Sequence, residues 1–98
     1  MMKRNEMEQK PHTVRILIAE DEPTQAMKLQ FILQQQGYVV VVAENGADAL
    51  EKLKDERVSL VISDIMMPEM DGYEVCRAIR SNESLRDIYV VLLTSHSD

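Results

Sequence analysis

Four short apolar runs rich in β-branched residues punctuate the chain: Val14-Arg15-Ile16-Leu17-Ile18-Ala19, Tyr38 to Ala43, Val58-Ser59-Leu60-Val61-Ile62-Ser63 and Ile88-Tyr89-Val90-Val91-Leu92-Leu93. Such runs read as strands, and their nearly unbroken apolarity is that of strands covered on both faces. The stretches between them carry helical spacing. Pro23 suits a first helical turn, where its missing N–H has no partner to lose, and the acids before it suit the helix dipole. The pattern predicts a helix from there to about Gln36, stopped by Gly37. Ala26, Leu29, Ile32 and Leu33 fall at i, i+3, i+6 and i+7 and predict one inward stripe, whereas Met27 and Phe31 point away from it and are expected to stay partly exposed. Asn45 can cap a second helix with Ala47, Ala49, Leu50 and Leu53 on one side. Asp71-Gly72 leads a third, with Val75, Cys76 and Ile79 facing inward and Arg77 and Arg80 facing water.

Strand and helix alternate throughout, which predicts a parallel sheet joined by right-handed crossovers in the order 2-1-3-4. In that order the chain steps outward from strand 1 to strand 2 and crosses back to strand 3. Crevices at such switch points hold ligands. The carboxyl ends there bring Glu20 and Asp21 from strand 1 and Asp64 from strand 3, with Thr94 beside them at the end of strand 4.

Composition narrows the class. The 98 residues suffice for one small domain, and 45% apolar and 29% charged residues, with three Gly and three Pro, describe a chain that folds. Residues 1–13 have no apolar core like that of a signal peptide and are read as a flexible tail, leaving the domain at 14–98. That part holds 8 basic and 15 acidic residues, a net charge of −7, which disfavours a surface that tracks nucleic-acid phosphates. Cys76 is the single cysteine, so no internal disulfide forms, and it is read as a small core hydrophobe. No apolar stretch approaches the roughly 20 residues of a membrane span. A cytoplasmic setting is expected. His12 and His96 have no ligand partners at metal spacing and receive no role.

Three carboxylates held together must share protons or bind a cation. Oxygen-only ligands in a partly hydrated site suit Mg2+. Such an ion neutralises a phosphoryl donor and leaves one carboxylate as nucleophile, the chemistry by which carboxylates form acyl phosphates. Asp64, at the strand end between the other contributors, is the expected nucleophile, and Thr94 can donate its hydroxyl to a phosphoryl oxygen. Glu22 is expected to face solvent and Asp71 to cap the third helix. Pro68 and Gly72 restrict and turn the loop that follows Asp64.

Leu17-Ile18-Ala19-Glu20-Asp21-Glu22 and Asp64-Ile65-Met66-Met67-Pro68-Glu69-Met70-Asp71-Gly72-Tyr73-Glu74-Val75 closely resemble the first acidic motif and the phosphoacceptor loop of two-component response regulator receiver domains. The resemblance covers 14–98. It implies an α/β, flavodoxin-like three-layer fold in which Asp64 takes a phosphoryl group from a histidine kinase or histidine phosphotransfer protein and a downstream effector reads the result. It further implies that Asp21 and Asp64 ligate Mg2+ directly, that Glu20 helps through water, that the main-chain carbonyl of Met66 completes the protein ligands, and that Thr94 is the switch hydroxyl. The family's fifth strand, the helices beside it and its strand-end lysine have no counterpart here, and no lysine of this chain is expected to stand in for the latter. An incomplete receiver is therefore expected, with an uncovered fourth strand, weak Mg2+ binding and poor phosphorylation. An interaction domain that works without phosphate, docking through Met27 and Phe31, is the alternative. A turnover enzyme is not expected, since metal-dependent phosphohydrolases commonly place a second Asp where Met66 stands.

Overall fold

The computed structural model describes residues 14–94; the tail expected over 1–13, with His12, and residues 95–98, with His96, lie outside the described residues. The elements are β1 (Arg15–Ala19), α1 (Pro23–Gln35), β2 (Val39–Ala43), α2 (Gly46–Leu53), β3 (Leu60–Asp64), α3 (Gly72–Ser81) and β4 (Tyr89–Leu93). All strand pairs are parallel, in the order β2-β1-β3-β4, as the alternation of elements predicts.

Short-range chemistry sets the helix ends. Glu22 caps α1 by accepting from the Gln25 N–H at 3.1 Å, and Pro23 occupies its first turn. At the other end Gly37, at φ 91, lets its N–H reach the Gln34 carbonyl while the Tyr38 N–H reaches that of Leu33, a closed helix stop. Asn45 accepts from the Asp48 N–H at 2.7 Å to start α2. Asp71 and Glu74 exchange side-chain acceptors for each other's N–H groups, each at 2.9 Å, to start α3.

Helices α2 and α3 cover one face of the sheet. Leu17, Ala19 and Val61 meet Ala49, Leu53, Val75 and Ile79 there, in the contiguous core. Each fully buried aliphatic side chain of this kind contributes about 1.5–3 kcal/mol through burial. Strand alternation turns Ile16, Ile18 and Ile62 to the other face. Helix α1 packs there against β1 and β2.

Two of the expected inward positions are corrected. Ile32 is 56% exposed, because α1 lies over β1 and β2 and no described element packs between it and β4. Ala47 is exposed at the start of α2, although Ala49 and Leu53 are buried as expected. Cys76 is only half-buried, while Val75 and Ile79 are fully enclosed. The uncovered flank of β4 is present: Tyr89, Val91 and Leu93 are exposed on the face shared with Ile62, whereas Val90 packs against the core. Met27 and Phe31 are 67% and 62% exposed, as their positions predict. Among the described residues no helix is long and apolar enough to cross a membrane.

Candidate functional site

Strand register delivers the acids to one place. Ala19 lies beside Ser63, and Asp64 beside Leu93, so the residues that follow β1, end β3 and follow β4 emerge on one edge of the sheet. The Glu20 N–H donates to the Ala43 carbonyl at 3.1 Å and the Ile65 N–H to the Leu93 carbonyl at 2.8 Å, which extends the ladder one step past the strands. Glu20, Asp21 and Asp64 each offer a carboxylate oxygen, and these oxygens lie within 4.8 Å of one another. Asp64 is buried, Glu20 half-buried and Asp21 exposed, so the cluster opens to water from its Asp21 side. Glu22 faces solvent beside it.

Burial raises the Glu20 carboxyl above its ordinary value, and the neighbouring charges of Asp64 and Asp21 and a hydrogen bond shared with Asp64 act in the same sense; the Glu22 N–H, donating at 3.1 Å, opposes them. A group so crowded by like charge is relieved by a proton or by a cation. The donor set is three hard oxygens with a water-facing side, which fits Mg2+.

The segment after β3 holds Asp64 in place. Met67 is buried in the core and Met70 packs against it, so the loop is anchored by two side chains that periodicity does not single out. The Gly72 N–H donates to the Ile65 carbonyl at 2.9 Å, closing the loop over the end of β3. The Met66 N–H reaches Asp64 Oδ1 at 3.3 Å, which brings the main chain of Met66 to the acid cluster. Between these points the Met70 N–H donates to the Pro68 carbonyl at 2.7 Å, a tight turn that puts Glu69 at φ 70. A left-handed conformation costs a residue with a Cβ about 1–2 kcal/mol, part of which glycine returns as lost chain entropy. Glu69→Gly is therefore expected to raise stability by about 0.5–1 kcal/mol in urea denaturation. A lower midpoint would show that the Glu69 side chain contributes more than its backbone strain costs.

Thr94 does join the acids, across a cavity of about 290 Å3 between α1 and the ends of β3 and β4 whose walls include Glu20, Lys28, Ile32, Asp64, Leu93 and Thr94. Lys28 is also in that wall. Its helical position is polar and exposed, and nothing local distinguishes it from any other surface lysine. Only the packing of α1 over β1 and β2 brings it to the cavity.

Comparison with known proteins gives one consistent result. The profile of the response regulator receiver domain matches residues 16–98. The transcriptional regulatory protein AfsQ1 of Streptomyces coelicolor is 37% identical over 83 residues, covering 85% of this chain but only 36% of its own length. The signal receiver domain of a signal transduction histidine kinase from Syntrophus aciditrophicus superposes with a TM-score of 0.81 at 48% identity, covering 88% of this chain and 65% of that one. The response regulator TrrA of Thermotoga maritima, crystallised in complex with Mg2+-BeF, superposes with a TM-score of 0.79 at 41% identity, covering 87% of this chain and 72% of that one. The chain thus spans about a third of AfsQ1 and about two thirds of the receiver domain from Syntrophus.

Proposed function

The chain belongs to the response regulator receiver domain family, and from that membership we propose that it is a phosphoacceptor module of a two-component phosphorelay, with Asp64 as the acceptor. The observation that carries the reading is the meeting of three carboxylate oxygens within 4.8 Å around a strand-ending aspartate. Glu20, Asp21, Asp64 and the main-chain carbonyl of Met66 are the residues that would hold Mg2+; the ion, when bound, supplies charge neutralisation for the phosphoryl oxygens. The Mg2+-BeF complex of TrrA supports that assignment.

The chemistry asks little of the protein beyond position and charge. An Asp64 carboxylate oxygen attacks phosphorus in line as the phosphorus–nitrogen bond of a donor phosphohistidine breaks. The electron pair of that bond stays on the imidazole nitrogen, and a proton on the other ring nitrogen lets the ring leave neutral. The product is an acyl phosphate on Asp64. Burial of Asp64 at the end of β3, with its flanking loop anchored by Met67 and Met70, keeps the attacking oxygen oriented. Thr94, in the wall of the same cavity, donates its hydroxyl to a phosphoryl oxygen and acts as the switch hydroxyl. The donor is a histidine kinase or phosphotransfer protein and the reader an effector. The chain itself is an acceptor rather than a turnover enzyme.

The test is intact-protein mass spectrometry after prolonged incubation with excess acetyl phosphate. One added phosphoryl group is expected with Mg2+, reduced at least about tenfold by a chelator, the scale on which loss of a charge-neutralising ion is felt. No adduct under either condition would overturn the reading.

A further inference from the structure

We propose that Ser63 is a positioning residue for the acceptor: its buried hydroxyl fixes the peptide between Asp64 and Ile65, and with it the aim of the Asp64 carboxylate and the path of the main chain to Met66. The inference rests on the reading of Asp64 as acceptor and adds to it a residue of the opposite sheet face, outside the acid cluster.

Three observations carry it. Among the described residues the buried polar side chains are those of Ser63 and Asp64, adjacent in sequence at the end of β3. The Ser63 hydroxyl, fully buried, donates to the Asp64 carbonyl at 3.0 Å. That carbonyl is turned toward the start of α3, since a Cβ on Gly72 would lie 2.6 Å from its oxygen. Finally, register places Ser63 beside Ala19, and Ala19 beside Ala43, so a row of small residues crosses the sheet at the strand ends. Alanine fills the positions on β1 and β2; the hydroxyl stands at the one before the acceptor.

Energetics supply the reason for the hydroxyl. Burying one costs free energy relative to alanine unless its hydrogen bond offsets the lost hydration. Here the bond goes to the acceptor's own peptide. The groups that follow are engaged as well: the Ile65 N–H with the Leu93 carbonyl at 2.8 Å, and the Ile65 carbonyl with the Gly72 N–H at 2.9 Å. A turn of the peptide between Asp64 and Ile65 would break the first of these, tilt the Asp64 side chain and shift the Met66 N–H, which lies 3.3 Å from Asp64 Oδ1. Ser63 thus holds the near end of a segment whose far end is held by Met67 and Gly72. A residue that only filled the core would change stability without changing how the acids bind a cation.

The experiment compares the full chain with Ser63→Ala, Ser63→Cys and Val61→Ala, using calorimetric titration with Mg2+ and urea denaturation with a chelator present. Val61, fully buried two positions earlier on the same face of β3, is the packing control. Ser63→Ala is expected to weaken Mg2+ binding about fivefold, the scale of one neutral hydrogen bond. Ser63→Cys keeps the volume but offers only a weak donor, so it weakens Mg2+ binding in the same sense, by about threefold, and decides the matter if the alanine variant does not fold. Val61→Ala removes two methyl groups from the core; it lowers the denaturation midpoint more than Ser63→Ala does, yet leaves Mg2+ affinity within about twofold of the parent. Parental Mg2+ affinity in the folded Ser63 variants overturns the proposal while leaving Asp64 as acceptor. A loss of Mg2+ affinity in Val61→Ala as large as that in Ser63→Ala also overturns it, since the effect would then be one of general loosening. A parent chain that binds no Mg2+ overturns the proposal and the receiver reading together.

Discussion

Asp64→Asn is expected to cut Mg2+-dependent phosphoryl labelling by at least about three orders of magnitude, to the level of adventitious acylation, because an amide offers no nucleophilic oxygen pair. The fold should survive the change. Asparagine has the volume of aspartate, and its neutral amide removes one of the two like charges that crowd Glu20. The denaturation midpoint measured with a chelator present should therefore be equal to the parent's or higher, so that the loss of labelling reports chemistry and not unfolding. Labelling that persists at the parental rate would place the acceptor elsewhere. The same variant separates the two modes of action. Met27 and Phe31 expose apolar surface on α1, 67% and 62% respectively, in the arrangement that a partner helix can cover. Partner binding that is identical for parent and Asp64→Asn, with and without a donor kinase, would favour an interaction domain that works without phosphate.

Gly72→Ala is expected to cost about 2–4 kcal/mol of stability and, in what remains folded, to weaken Mg2+ binding about tenfold. A Cβ at this position would lie 2.6 Å from the Asp64 carbonyl oxygen and 2.9 Å from the Ile65 Cα. Both neighbours are backbone, so neither can swing aside as a long side chain would. Either α3 retreats, breaking the bond from the Gly72 N–H to the Ile65 carbonyl at 2.9 Å, or the end of β3 moves and carries Asp64 with it. For a domain whose total stability is about 5–10 kcal/mol the first effect is large. Urea denaturation and Mg2+ titration of the same preparation check both parts. An unchanged midpoint would show that the loop from Ile65 to Asp71 absorbs the extra carbon without moving the acceptor.

The strands of this protein are legible because each is a short β-branched run, and the helix boundaries because Pro23, Gly37, Asn45 and Asp71 act on backbone groups only a few residues away. Alternation of the elements then leads to the order 2-1-3-4, and the order places Glu20, Asp21 and Asp64 on one edge. Everything in that chain of inference is local chemistry followed by a topological rule. Helical periodicity marks which positions of α1 share a stripe, yet it carries no information on how much sheet lies under that stripe; Ile32 is exposed because α1 covers β1 and β2 and stops short of β4. Loops have no period, so the burial of Met67 and the left-handed turn at Glu69 follow only from closing the segment between β3 and α3 over the core. Lys28 and Asp64 are far apart along the chain and line one cavity through the packing of α1 over β1 and β2. Sequence by itself determined the elements, their order and the acids at the strand ends, since those depend on neighbours along the chain. Tertiary structure alone decided how deeply each position of α1 is covered and how the loop after β3 packs, since those depend on which surfaces the folded chain brings opposite one another.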